Sequence, residues 1–156
     1  MHPDTPAQGA DKPFSDAEWP RIRRRLEDLA VLVDLPIDPP RRNVNSRLAL
    51  ETMELVRARQ GDDAAANFHH AVSRAFFAER EDIADLKVIG AKANDFGVAP
   101  SEVEAAWKTH AFASAVDASI AASRAAGVRG VPAYGWPGTR AISGMMEPER
   151  IVSALS

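Results

Sequence analysis

Residues 127–136 read Gly-Val-Arg-Gly-Val-Pro-Ala-Tyr-Gly-Trp. Two glycines precede Val131–Pro132, and Ala133, Tyr134 and Trp136 then run into Pro137-Gly138, a turn signal. Residues 131–136 and 140–143 therefore predict two short strands joined as a β-hairpin. Read from its residues alone, the Gly130-Val131-Pro132 corner is a proline-stiffened turn into an edge strand, with every bond trans. Tyr134 and Trp136 fit either a core face or the wall of a ligand site, and core is the expected role of Tyr134.

Everything upstream of the corner has a helical period. Ser15-Asp16-Ala17-Glu18 fits a capping box, with Phe14 and Trp19 placed as a hydrophobic staple. Trp19, Ile22, Leu26, Leu29 and Val33 then share one helical face. Pro20 leaves the start open between Ser15 and Pro20, because proline is favoured only at a helix's first turn. After the extended stretch Leu35–Pro40, the capping residues Asn43 to Ser46 open a helix to about Gln60 that buries Leu48, Thr52, Met53, Leu55 and Val56. Gly61 stops it, and Asp62-Asp63 open a third helix with Phe68, Ala71, Val72, Ala75 and Phe76 on its apolar side. Asp85 caps a fourth, with Leu86, Ile89 and Ala93 inward and Gly97 at its end. Ser101-Glu102-Val103-Glu104 reads as a second capping box, leading into one long helix or two short ones up to Gly127. Glu149 to Leu155 makes the last helix.

The expected fold class is mostly α with a small β-hairpin (α+β). Three segments follow: a disordered tail over 1–13, a helical domain over 14–126, and a C-terminal β-β-α part over 127–156. The tail assignment rests on Pro, Gly, Asp and Ala with nothing to bury. A two-stranded sheet is marginal by itself in water, so the hairpin reads as part of a larger sheet.

Composition narrows the function. The chain has 156 residues, 46% hydrophobic and 26% charged, which suits an ordinary globular domain. A net charge of −3 gives no general attraction to nucleic acid or to anionic membranes. No apolar run reaches the roughly 18–20 residues of a membrane span, and no apolar leader is visible, so the expected location is cytoplasmic. The chain has no cysteine, hence no disulfide, no thiolate metal site and no thiol nucleophile of its own. His2, His69, His70 and His110 show no metal-ligand spacing and read as surface or boundary residues. Arg21, Arg23, Arg24, Arg25, Arg41 and Arg42 form a basic cluster diluted by Glu18, Glu27 and Asp28, read as a solvated face. Phe68, Phe76, Phe77 and Trp107 are core by their spacing.

The segment from Gly127 to Leu155 resembles the C-terminal part of the DsbA-like thioredoxin superfamily, where a Gly-Val-Pro corner leads through a hairpin into the last helix. The helical middle is similar to the insertion of the same family through Asn45–Leu50, Ala75–Phe77 and Asp82–Ile83. It fits best the cytosolic branch of predicted dithiol-disulfide isomerases, related to 2-hydroxychromene-2-carboxylate isomerases and kappa-class glutathione transferases. The resemblance implies a proline in cis at Pro132, with Val131 offering its N–H and C=O to an extended peptide or a glutathione-like ligand. It also implies that Gly130 allows close backbone approach. The branch that binds glutathione is disfavoured, since polar partners beyond Ser143-Gly144 are not visible.

Family members carry a strand-helix-strand unit with Cys-x-x-Cys, or a Ser-containing turn, ahead of the helical insertion, and a polar tail stands there in this sequence. The expectation is thus a truncated member of a thiol-disulfide oxidoreductase/isomerase family, without redox cysteines, catalytic residues, metal or obligate cofactor. Two alternatives stand beside it. One is a non-catalytic interaction module completing a sheet with a partner chain or as a homodimer; the other is a glutathione-dependent isomerase or transferase.

Overall fold

A computed structural model of the chain describes residues 4–32, 34–135, 140–144 and 146–155, with Ala154 and Leu155 described by backbone alone. It divides into two compact units, residues 1–113 and 114–156. Ala113, the first residue of the helix that precedes Gly127, is the last residue of the first unit. Of the two arrangements open for 103–120, the chain adopts two helices, α5 (Pro100–Lys108) and α6 (Ala113–Ala125). Between them His110 has φ +53°, and the Thr109 hydroxyl donates back to the Ala105 carbonyl at 2.9 Å. A left-handed residue there cannot continue a right-handed helix.

The first unit is built on α2 (Arg47–Gln60), α3 (Asp62–Phe77), α4 (Leu86–Asn94) and α5. Their apolar faces meet on Phe68, Val72, Val56, Ile89 and Val103, all essentially inaccessible to water. Met53, Ala71 and Leu86, expected inside, are half-buried at the rim of this core. Phe68 lies edge-on to Phe96, ring centres 5.8 Å apart at 90°, a favourable aromatic geometry. Gly61 separates α2 from α3 with φ +89°, where a side chain would be strained. The Asp85 carboxylate accepts from the Lys87 N–H at 2.7 Å, capping α4 as its sequence predicts.

The box expected at Ser101 sits two residues earlier. Ala99 is the N-cap of α5, Pro100 its first residue, and Glu102 reaches back to the Ala99 N–H at 3.3 Å. Alanine has no side-chain acceptor, so only the glutamate half of a capping box exists here. Proline at the first helical position needs no N–H partner, which moves the start ahead of Ser101.

Residues 4–13 do not form the disordered segment expected from their composition. Ala10–Asp11 is strand β1, antiparallel to β2 (Arg42–Asn43), with Ala10 opposite Asn43. Lys12 Nζ donates to the Pro40 carbonyl at 2.6 Å, Arg42 Nη2 to Gln8 at 2.7 Å and Asn45 Nδ2 to Thr5 at 2.5 Å. Backbone carbonyls captured by cationic and amide donors hold this strap, a mechanism that apolar content cannot reveal.

Helix α1 (Trp19–Leu32) begins at Trp19, placing Pro20 within the first turn. The box ahead of it is formed: the Ser15 N–H donates to Glu18 Oε2 at 2.9 Å and the Glu18 N–H to Ser15 Oγ at 3.3 Å. Phe14 stacks on Trp19 at 6.3 Å. Ala30 is the buried residue of α1, while Trp19, Ile22, Leu26 and Leu29 are half-buried; Val33 lies outside the described residues. Part of the basic cluster is neutralised locally. Arg23 Nε sits 2.7 Å from Glu27 and its Nη2 3.0 Å from Asp38, Arg41 pairs with Asp16, and Arg42 lies 3.3 Å from Asp11.

Asp38 also takes Arg80 at 2.6 Å, joining the segment after α1 to the loop after α3. The Arg80 hydrogen bond holds the Asp38 carboxyl below its ordinary value of 3.8. Arg74 and Lys92 do the same to Glu79, below 4.5. Burial, with the neighbouring His70, lowers His69 below 6.5. All three groups favour their deprotonated forms in the folded chain, so each contributes stability that is complete above its ordinary value and lost as pH falls through its lowered one. Thermal unfolding followed from about pH 8 downward is therefore expected to show a midpoint that declines gently as His69 is charged and again below about pH 4 as Asp38 and Glu79 are protonated. A midpoint that rises on acidification would contradict these assignments.

Candidate functional site

The second unit holds the corner. Helix α6 ends with Gly127 at φ +86°; the Gly127 N–H donates to the Arg124 carbonyl at 3.0 Å and the Val128 N–H to Ser123 at 3.0 Å. This is a Schellman closure, and it turns the chain out of the helix toward Gly130. The Arg140 side chain lies over Gly127, 3.5 Å from where a Cβ would stand.

Strand β3 (Ala133–Tyr134) pairs antiparallel with β4 (Ile142–Ser143), Ala133 opposite Ser143 and Tyr134 opposite Ile142. The predicted hairpin is present with strands shorter than the 131–136 and 140–143 expected. Trp136 and the Pro137-Gly138 turn lie outside the described residues. One further bond extends the ladder, from the Gly144 N–H to the Pro132 carbonyl at 2.9 Å; another, from the Ala141 N–H to the Ala126 carbonyl at 2.9 Å, ties the start of β4 to the residue after α6. Gly144 has φ +108°, a conformation suited to glycine, so the β4 end of the ladder is shaped by the glycine of the Ser143-Gly144 step. Helix α7 (Pro148–Leu155) follows.

Among the described residues one peptide bond is cis, Val131–Pro132. Val131 is 80% exposed, a high value for an aliphatic residue, and no described residue hydrogen-bonds its N–H or C=O. Gly130 is exposed as well, and a Cβ there would meet nothing within 4 Å. The fold itself therefore does not require glycine at 130; the space in front of it is open. Tyr134 is half-buried rather than core. Pro132 thus closes the ladder through its carbonyl, while the N–H and C=O of Val131 have no hydrogen-bond partner among the described residues.

The other candidates stay apart from this corner. Phe68 and Phe76 are buried in the first unit, Trp107 packs partly buried against the same core, and Phe77 is 43% exposed. His69 and His70 sit ring to ring at 6.3 Å on α3. Among the described residues no group of three or more His, Asp or Glu side chains could hold a metal ion, and no helix is long and apolar enough to cross a membrane.

A helical unit followed by a helix, an antiparallel hairpin and a closing helix, with a Val-Pro corner at the hairpin's mouth, defines a mostly-α, thioredoxin-like α+β protein. The chain belongs to the DSBA-like thioredoxin domain family, whose family model matches residues 2–156. No curated protein matches it.

Proposed function

We propose that this DsbA-family chain binds an extended peptide or a glutathione-like thiol compound at Gly130-Val131-Pro132. The single observation that carries this reading is Val131 itself, 80% exposed and with no described hydrogen-bond partner for its N–H or C=O. An extended ligand offers a C=O and an N–H at the matching spacing and adds as a short strand. Thiol-disulfide exchange, the activity suggested by the family resemblance, begins with a thiolate attacking a disulfide sulfur. These 156 residues contain no cysteine, so they hold the substrate and contribute no nucleophile. Any sulfur that reacts comes from the ligand or from another chain. A cytoplasmic setting belongs to the same reading. Calorimetric titration with glutathione and with a short extended peptide tests it: a saturable heat is expected, and the absence of any heat with both would overturn it.

A second reading has its own support. None of the described residues after Val116 is buried, and β3 and β4 have two residues each. A hairpin so thinly covered gains stability by joining further strands. In this reading the hairpin completes a sheet with a partner chain. Amide exchange at Ala133 and Tyr134 distinguishes the two readings, because only the second expects strong protection there without small ligand.

A further inference from the structure

We propose that the extended peptide taken at Gly130-Val131-Pro132 is an acidic one, whose carboxylate side chain is met by Arg129 and Arg140; this rests on the ligand reading of that corner and adds the chemistry of the ligand. The stretch from Ala126 to Ala141 holds two charged residues, Arg129 and Arg140, and no carboxylate. Both arginines are exposed, and neither forms an ion pair with any described residue. Most arginines of the first unit do face a carboxylate, among them Arg23, Arg57, Arg59 and Arg74.

The fold gathers the two at the mouth of the corner. The hydrogen bond from the Ala141 N–H to the Ala126 carbonyl, 2.9 Å long, fixes Arg140 beside the end of α6. Its Nε then lies 3.5 Å from where a Cβ on Gly127 would stand. Arg129 sits between Gly127 and Val131 in the chain. A bound strand rises roughly 3.3 Å per residue, so about four ligand residues reach from the open backbone groups of Val131 back to the Arg140 side chain. The Val131 side chain, itself 80% exposed, offers an apolar contact at the other end of that span. The ligand that fits is an extended peptide with an apolar residue at Val131 and a glutamate or aspartate toward Gly127. Backbone pairing supplies the affinity, and the guanidinium groups, which bond carboxylates strongly, choose the sequence. The acids of the second unit do not compete within this stretch: Glu149 stands in the first turn of α7, where a carboxylate complements the helix end.

The test is calorimetric titration of the full chain with a short alanine–valine peptide of blocked termini carrying one glutamate, and with the same peptide carrying glutamine instead. The glutamate peptide is expected to bind about fivefold tighter at low salt, a preference that fades as salt is raised. Arg129→Gln and Arg140→Gln, both changes at exposed positions, are each expected to cut the preference about twofold, and the double variant to abolish it. Equal affinity for two peptides that both bind overturns the proposal and leaves the reading of Val131–Pro132 standing. A preference that persists in the double variant also overturns it, since the carboxylate would then be held on another surface. Binding of neither peptide overturns the proposal together with the peptide reading of the corner.

Discussion

Replacing Arg47 with leucine is expected to lower the stability of the first unit by about 3–5 kcal/mol, and adding Glu51→Leu to restore most of the loss. Arg47 Nε donates to Glu51 Oε1 at 2.7 Å, and its Nη2 donates to the Ala113 carbonyl at 2.9 Å. The two side chains are 22% and 6% exposed, so the carboxylate is the more deeply buried partner. Glu51 Oε2 has no hydrogen-bond partner among the described residues, which leaves Arg47 as the principal compensation for the charge. Removing the guanidinium strands a carboxylate in a low-dielectric interior. Removing both charges leaves two aliphatic side chains on one helical face beside Leu48 and Leu55, where the desolvation cost disappears. Urea unfolding of the wild type, both single variants and the double variant gives the coupling. A double variant as unstable as Arg47→Leu would show that the charge is not what the arginine compensates.

The second large effect is expected from Phe68→Ala, a loss of about 3–5 kcal/mol, with a thermal midpoint lower by roughly 10 °C. Phe68 is fully buried at the centre of the four-helix core and also carries the edge-on contact with Phe96. Truncation removes both and leaves a void that α2, α4 and α5 fill only by shifting. With total stabilities near 5–15 kcal/mol, this one change takes a large part of what holds the unit together. Phe77→Ala is the control: 43% exposed at the last residue of α3, it is expected to cost far less. Equal losses in the two variants would mean that the core is not centred where the burial places it.

These two sites differ in how legible they were. Phe68 follows from apolar spacing on α3, a pattern fixed by the geometry of the helix. Glu51 does not, since a glutamate on a helix ordinarily faces water and only the packing of α5 and the following loop over α2 buries it. The strap over residues 4–13 escaped for a related reason: donors from Lys12, Arg42 and Asn45 hold it, at sequence separations of 28 to 40 residues. The start of α5 was misplaced because Ser101 and Glu102 imitate a cap, while Pro100 already satisfies the first turn. At the corner, the order of Gly130, Val131 and Pro132 is written in the sequence. The closing bond from Gly144 and the Schellman turn at Gly127 depend on backbone angles that single residues only permit.

The most direct measurement of the central claim is a residue-by-residue titration of the amide resonances of the isotopically labelled chain with glutathione and with a short extended peptide. The Val131 amide is expected to shift most, with Ala133 and Gly144 following and the first-unit amides of Phe68 and Ile89 unchanged. Shifts confined to the first unit, or none at Val131 at saturating ligand, would contradict the assignment of the Val131–Pro132 corner as a binding site.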